Sequence, residues 1–389
     1  MRTLAPTPEQ AELRDAVRAV LARHPGHGAW APLTAQVGAA ALAVPEEYGG
    51  LGCGSAEVAV VMAELGRALS PVPYLGSAVL TVRALLAAGD REACARHLPA
   101  LADGSLVGAL AWAEEGGWEA PALTARAERD ERADGAERAD GAERAEPSAA
   151  GAAGWLLRGT KRYVLAGPVE PALLLAFART PEGRLGLFEL TAPPAAFTVR
   201  STMDRTRPLA ELTLDRTPAR LLSPDGAGVL ARVRDLACAM LAAEQAGAAG
   251  RALETTVRYA KEREQFGRPI GSFQAVKHRL ADMYTAVEGA RSLALAAAAA
   301  DDAATADADD GPDDDRGGAP ALAAAAKSAC SEAFSYVAGE MIQLHGGIGI
   351  TWEHEAHEFF KRAHGSAELF GSPAAHRERL AYRLGFLPG

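Results

Sequence analysis

The chain has 389 residues and a mass of 40.4 kDa, of which 49% are hydrophobic, 23% charged and 6% aromatic. At roughly 100–200 residues per domain that length suggests two or three domains, and the composition excludes wholesale disorder. The formal charge of −10 is the sum of two tracts, −7 between Asp301 and Arg316 and −3 between Arg126 and Glu146, so the rest is near neutral and argues against nucleic acid as a partner, since phosphate binding needs a basic surface.

Met1 to Gln10 lacks the basic-then-apolar layout of a signal peptide, and no uncharged apolar run approaches the ~18 residues of a membrane span. Cys53, Cys94, Cys238 and Cys330 stand far apart without a C-x-x-C pair. Neither a structural zinc site nor a disulfide framework is expected, and a reducing, cytoplasmic setting fits.

A helical zone is expected to about residue 105. It opens on Thr7-Pro8-Glu9-Gln10, a capping-box start, after which Leu13, Ala16, Val17, Val20 and Leu21 recur at helical spacing. Val58 to Leu69 and Val79 to Ala88 repeat the pattern. From about 106 to 222 the character changes. Trp155-Leu-Leu and Lys161-Arg-Tyr-Val-Leu read as two short strands around a Gly159-Thr160 turn, Leu173 to Phe177 and Leu185 to Leu190 as strands joined by a turn, and Ala210 to Leu214 alternates with period two. A small antiparallel sheet is expected, interrupted by a low-complexity insertion at about 124–150 that contains a tandem ADGAER repeat. From about 223 to 389 three long helices suggest a bundle: Gly226 to Lys261, Ser272 to Ala300 and Pro320 to Leu344, with an acidic insertion at about 301–318. Both insertions are expected to be solvated loops. The fold class is α+β: a helical N-terminal domain, a small central β domain and a helical C-terminal bundle.

Two segments have residue choices that packing alone does not explain. In Tyr259-Ala-Lys-Glu-Arg-Glu-Gln-Phe-Gly-Arg-Pro-Ile-Gly-Ser-Phe-Gln a helix stops near Gly267 and restarts at Ser272. Arg263 at that corner, with Gln265, Phe266 and Gln274, is suited to grip a pyrophosphate and face a flat heterocycle. The same residues also read as an ordinary charged last turn. In Gln343-Leu-His-Gly-Gly-Ile-Gly, three glycines follow a helix. This is not the dinucleotide fingerprint, which follows a strand, although such glycines let backbone N–H groups approach phosphate. His354-Glu-Ala-His357 places two imidazoles three residues apart, yet solvent-facing His and Glu are commoner than a metal pair; no metal is expected.

Tyr259 to Met283 and Gln343 to Phe370 resemble the two C-terminal signatures of the acyl-CoA dehydrogenase family. Val44-Pro-Glu-Glu-Tyr-Gly-Gly-Leu-Gly is similar to its N-terminal loop, and Gly159-Thr-Lys-Arg-Tyr-Val-Leu to its flavin-side hairpin. The resemblance spans all three zones and implies FAD. Arg263 and Gln265 would meet its pyrophosphate, with Phe266 and Gln274 near the adenine. Gln343, His345, Gly346 and Gly347 would bind a cofactor held mainly by a neighbouring subunit, implying an oligomer, homo- or hetero-tetrameric. Tyr163, Val164 and Leu165 would lie beside the isoalloxazine, with Ala111 to Glu115 on the opposite side of the site. That stretch departs from the family pattern, because Ala113 stands where a threonine is usual.

Family chemistry removes a proton alpha to a thioester while the flavin takes the beta hydride, which needs a carboxylate base. Most members carry it where this chain has Phe370, and a minority where it has Ala237. Glu244 shares the Ala237 face of the helix roughly 10 Å along it, in an Ala/Gly-rich setting where a charge is costly without a role; it is the candidate base, with Glu368 as the other and a structural ion pair as the plain alternative. The expected activity is dehydrogenation of an acyl-CoA or acyl-carrier thioester to the 2,3-enoyl thioester, with electrons passed to an external acceptor such as an electron-transfer flavoprotein. The alternative is a non-catalytic FAD-binding subunit of a hetero-oligomer.

Overall fold

Residues 6–130, 154–165, 167, 171–306 and 318–387 are described in a computed structural model of the chain. The N-terminal zone is helical as expected. In α1 (Pro8–Arg23) the capping box is closed, with Gln10 N donating to Thr7 Oγ1 at 3.2 Å and Thr7 N to Gln10 Oε1 at 3.1 Å. Next come α2 (Trp30–Val37) and α3 (Ser55–Arg67), then a π-helical stretch Tyr74–Thr81 that runs into α4 (Val82–Ala88), and α5 (Arg91–Ala102). α1 packs on α3 by burying Val17 and Val20. α3 in turn crosses α6 (Gly226–Glu262) at backbone contact: a Cβ on Gly66 would overlap Glu244 O, and one on Gly247 would overlap Ala63 O. Only glycine fits on either side of that crossing.

Seven strands of the central zone form one sheet: β1 (Gly108–Ala111), β2 (Arg126–Arg129), β3 (Trp155–Leu165), β4 (Leu173–Arg179), β5 (Leu185–Leu190), β6 (Ala196–Arg200) and β7 (Leu209–Ser223). The order is β1-β4-β2-β3-β7-β5, and the sheet closes on itself because β5 also pairs with β4. Three expectations change here. The sheet is mixed, since β1 and β2 run parallel to β4. Trp155–Leu165 is one strand whose register shifts at Gly159, so the expected turn is a bulge. The insertion expected at about 124–150 starts late, because Arg126–Arg129 pairs with β3 and buries Ala127 to 2% exposure; its residues 131–153 lie outside the described residues.

The C-terminal zone contains the long α6, α7 (Gln274–Ala306), α8 (Ala319–His345), α9 (Ala356–Glu368) and α10 (Pro373–Arg383). The acidic tract does not begin as a loop: α7 continues through Asp301 and Asp302 to Ala306. Asp302 accepts from the backbone N–H groups of Ser55 and Ala56 at the start of α3, and Asp301 pairs with Arg83. A carboxylate at a helix N-terminus satisfies orphan donors and suits the dipole, which is why these two acids are packed. Residues 307–317 lie outside the described residues. Among the described residues no helix is long and apolar enough to cross a membrane.

Candidate active site and cofactor-binding corner

Trp112 follows β1 directly, and the loop after it is folded back by a buried carboxylate. Glu114 accepts from Thr124 N and Thr124 Oγ1 at 2.7 Å each, from Ala125 N at 3.0 Å and from Lys161 Nζ at 2.6 Å, and Lys161 on β3 is fully buried. Burial pushes the Glu114 carboxyl up, but the Lys161 charge and these hydrogen bonds outweigh it and leave the group below its ordinary range. The folded loop presents Trp118, whose carbonyl accepts from Trp112 Nε1 at 2.7 Å.

Phe370 completes an aromatic cluster on this loop. Its ring lies flat on Trp112, with centroids 5.3 Å apart and planes at 8°, and meets Trp118 edge-on at 5.2 Å. Trp118 then covers Tyr163 at 5.7 Å. Phe370 is 1% exposed with φ +63°, a left-handed backbone that a bulky residue adopts only when its surroundings hold it there. The position expected for the usual base is thus a packed hydrophobe. Glu368, two residues earlier, is exposed in the last turn of α9.

Glu244, the candidate base, sits in a buried ion-pair cluster. It is 4% exposed, and its Oε1 accepts from Arg362 Nη1 at 2.9 Å while its Oε2 pairs with Arg207. Arg362 also reaches Asp204 at 3.0 Å and the Thr206 carbonyl at 3.0 Å. Taking a proton from substrate would break two charge-assisted contacts and strand buried guanidiniums. The cavity beside Glu244, bordered by Leu75, Leu165 and Arg207, is about 40 Å³, room for a few waters and not for an acyl thioester. Ala237 is fully buried.

In the second candidate region the helix ends earlier and the next one starts later than expected near Gly267 and Ser272, with a hairpin between them. α6 ends at Glu262, and Arg263 opens a two-residue hairpin in which β8 (Glu264–Gln265) pairs with β9 (Arg268–Pro269). Phe266 at its tip is 92% exposed, and Arg263, Gln265 and Gln274 at the start of α7 are exposed with it. The signature at the end of α8 is tied to this corner by Tyr259, which stacks on His345 at 4.3 Å and points its hydroxyl at the His345 carbonyl, 3.4 Å away. Gln343, Gly346 and Gly347 are exposed, and no atom lies within 4 Å of where a Cβ on either glycine would sit. An exposed guanidinium, amides, an exposed aromatic and open glycine backbone form the donor set that FAD's pyrophosphate and adenine require, so this corner fits the cofactor.

Two expected cofactor residues do not present side chains. His345 is buried, donating from Nδ1 to Met341 O at 2.7 Å, with burial pulling its pKa down; it joins the two signatures instead of facing a ligand. Val164 is 1% exposed and packs in the core of the sheet, because a bulge between Lys161 and Val164, with Tyr163 at φ +55°, resets the alternation and turns Val164 inward and Tyr163 out. Tyr163 is exposed beside the aromatic cluster, and Leu165 is half-buried on the cavity that Glu244 borders; both are apart from the Arg263 corner along the chain. Trp112 and Trp118 were not singled out from sequence; two Trp within seven residues of a chain only 6% aromatic was the available signal. Among the described residues no group of three or more His, Cys, Asp or Glu could hold a metal ion.

Comparison with known proteins bears on the family. Residues 7–105 match the model for the acyl-CoA dehydrogenase N-terminal domain and residues 225–385 that for the acyl-CoA dehydrogenase C-terminal domain. The chain is 39% identical to acyl-CoA dehydrogenase IpdE2 of Mycobacterium tuberculosis, covering 97% of this chain and 98% of that protein. It is similar to the solved Tcur3481-Tcur3483 steroid ACAD G363A variant (31% identity, TM-score 0.76, 97% and 98% covered). It is also similar to the ChsE4-ChsE5 complex from Mycobacterium tuberculosis (26% identity, TM-score 0.79, both chains fully covered). With matches over both helical zones and near-complete coverage of its relatives, the chain belongs to the acyl-CoA dehydrogenase family of FAD-dependent oxidoreductases.

Proposed function

We propose that this chain is the FAD-binding, base-lacking subunit of a hetero-oligomeric acyl-CoA dehydrogenase, in which a partner subunit supplies the carboxylate that takes the alpha proton. The observation that carries this reading is Phe370, buried flat against Trp112 at the position where the family resemblance puts the base. The commitment of Glu244 to Arg207 and Arg362 supports it, since among the described residues no other carboxylate lines the adjacent cavity. The likeness to the ChsE4-ChsE5 complex and to the Tcur3481-Tcur3483 enzyme, both named for two proteins, supports a two-component assembly.

Bound FAD supplies the acceptor for the beta hydride. Arg263 would grip its pyrophosphate, helped by Gln265, while Phe266 and Gln274 would take the adenine end, and Gln343 with the open backbone of Gly346 and Gly347 would close on the same dinucleotide. These residues are exposed, as residues lent to a neighbour's cofactor would be. Tyr163, with one face covered by Trp118, and Leu165 would border the flavin ring on this chain's own side. The substrate is an acyl-CoA thioester, the electron acceptor an electron-transfer flavoprotein, and the compartment the cytoplasm, where the four free cysteines stay reduced. The test is anaerobic addition of acyl-CoA to the chain alone and to the chain co-assembled with a glutamate-bearing homologue: only the second should bleach its flavin.

A further inference from the structure

The turn that inserts Phe370 is held from behind by two buried groups that no step of the dehydrogenation uses. Lys327 stands in the Ala-rich middle of α8, fully buried, and its Nζ donates to Ala367 O at 2.8 Å, to Gly371 O at 3.0 Å and to Ser331 Oγ at 3.0 Å. The two carbonyls bracket Phe370, one in the last turn of α9 and the other just past it. His376 in the first turn of α10 faces the Phe370 carbonyl itself, with Nε2 3.0 Å away. A ring facing a carbonyl must carry its proton on that nitrogen, so His376 is a neutral donor; burial first, then the Lys327 charge, pulls its pKa down to about 4. Burial also lowers Lys327, to about 8, so it is still the charged donor at neutral pH.

The backbone between these anchors is unusual. Phe370 at φ +63° and Gly371 at φ +108° are consecutive left-handed residues. A Cβ on Gly371 would be strained at that φ and would meet His376 Nε2 at 3.1 Å. Left-handed Phe is unfavourable on its own, so the conformation persists because three carbonyls in a row of five residues are each held by a buried donor.

We propose that Lys327 and His376 are positioning residues that lock the Phe370 turn and so keep the Trp112–Trp118 niche of this subunit filled. The inference rests on the reading of this chain as the base-lacking subunit; the clamp itself is a statement about geometry that can be measured apart from it. The near-ultraviolet circular dichroism of stacked tryptophans reports the cluster directly, in the full chain as purified with FAD. Phe370→Ala removes the stack and sets the reference level. Lys327→Met should fall to that level, and the double substitution should fall no further, because both act on one contact. Should Lys327→Met not fold, His376→Leu leaves the three Lys327 bonds in place and should lose the same signal, while His376→Gln, which still carries a donor, should retain it. A wild-type tryptophan signal in His376→Leu or Lys327→Met, or losses that add in the double variant, would show that these groups merely support the bundle and would overturn the clamp. Flavin bleaching by the isolated wild-type chain would instead overturn the subunit reading and leave the dichroism result standing.

Discussion

His345 lies against Tyr259 with ring centroids 4.3 Å apart and planes at 28°, joining the last turn of α8 to the last turn of α6. Because Arg263 is four residues beyond Tyr259 and Gly346 is next to His345, this stack ties together the two segments that carry the guanidinium and the glycine loop. Tyr259→Leu should therefore weaken FAD retention as well as stability. The lost aromatic pair is worth about 0.5–1.5 kcal/mol, and the loss of flavin on gel filtration should exceed what that small destabilisation produces in a control core variant.

Arg263→Ala should remove the charge-assisted contact proposed for the FAD pyrophosphate. At about 1.5–3 kcal/mol for a hydrogen bond to a charged group, FAD should bind ~10–100-fold more weakly, measured by fluorescence recovery of released flavin. Undiminished affinity removes Arg263 from the site.

Glu244→Gln should behave as a stability variant. Withdrawing the carboxylate leaves Arg207 and Arg362 facing each other in a buried site, and breaking a buried pair in this way costs about 3–5 kcal/mol. The urea midpoint should drop accordingly, with the flavin absorption of the folded fraction unchanged.

Asp302→Ala should lower stability by about 1 kcal/mol, the usual cost of losing an N-cap, because Ser55 N and Ala56 N lose their acceptor. An unchanged melting temperature would mean that the acidic tract is a solvated loop from its first residue, as its composition alone suggests.

Stability should also fall with acid in a defined window. The pKa of His376 is lowered on folding from 6.5 to about 4, so between those values the unfolded chain binds the extra proton and unfolding becomes easier as pH falls. The contribution is intact above pH 6.5 and amounts to a loss of up to about 3 kcal/mol at pH 4. His345 and His357, also lowered by burial, add in the same direction. In His376→Gln the decline over this window should be shallower by the His376 share.

The parts of this molecule that were legible in the sequence are those in which local chemistry and tertiary structure agree. Thr7 to Gln10 announces a capping box and forms one, and the Arg263 corner and the Gly346 loop carry their residues on short contiguous segments. What escaped depends on neighbours distant along the chain. The start of the acidic tract reads as a loop until Ser55, some 250 residues away, supplies the helix end that Asp302 caps. Gly159 reads as a turn, yet pairing with β7 on both sides carries the strand through it as a bulge. Glu244 reads as a costly charge looking for a role, and its role is two arginines from other segments. The aromatic cluster is the extreme case: Trp112, Trp118, Tyr163 and Phe370 come from three separate segments, and the close pair of Trp does not say that Phe370 and Tyr163 join it.

The central claim, that this subunit contributes FAD-binding elements but no base, is tested most directly by an anaerobic absorbance titration with acyl-CoA, following the oxidised flavin band. The wild-type chain alone, saturated with FAD, should hold its flavin oxidised through a full molar excess of acyl-CoA, and co-assembly with a glutamate-bearing homologue should give bleaching that Glu244→Gln in this chain leaves intact. Stoichiometric bleaching of the chain alone, abolished by Glu244→Gln under conditions where that variant stays folded, would contradict the account and return the base to Glu244.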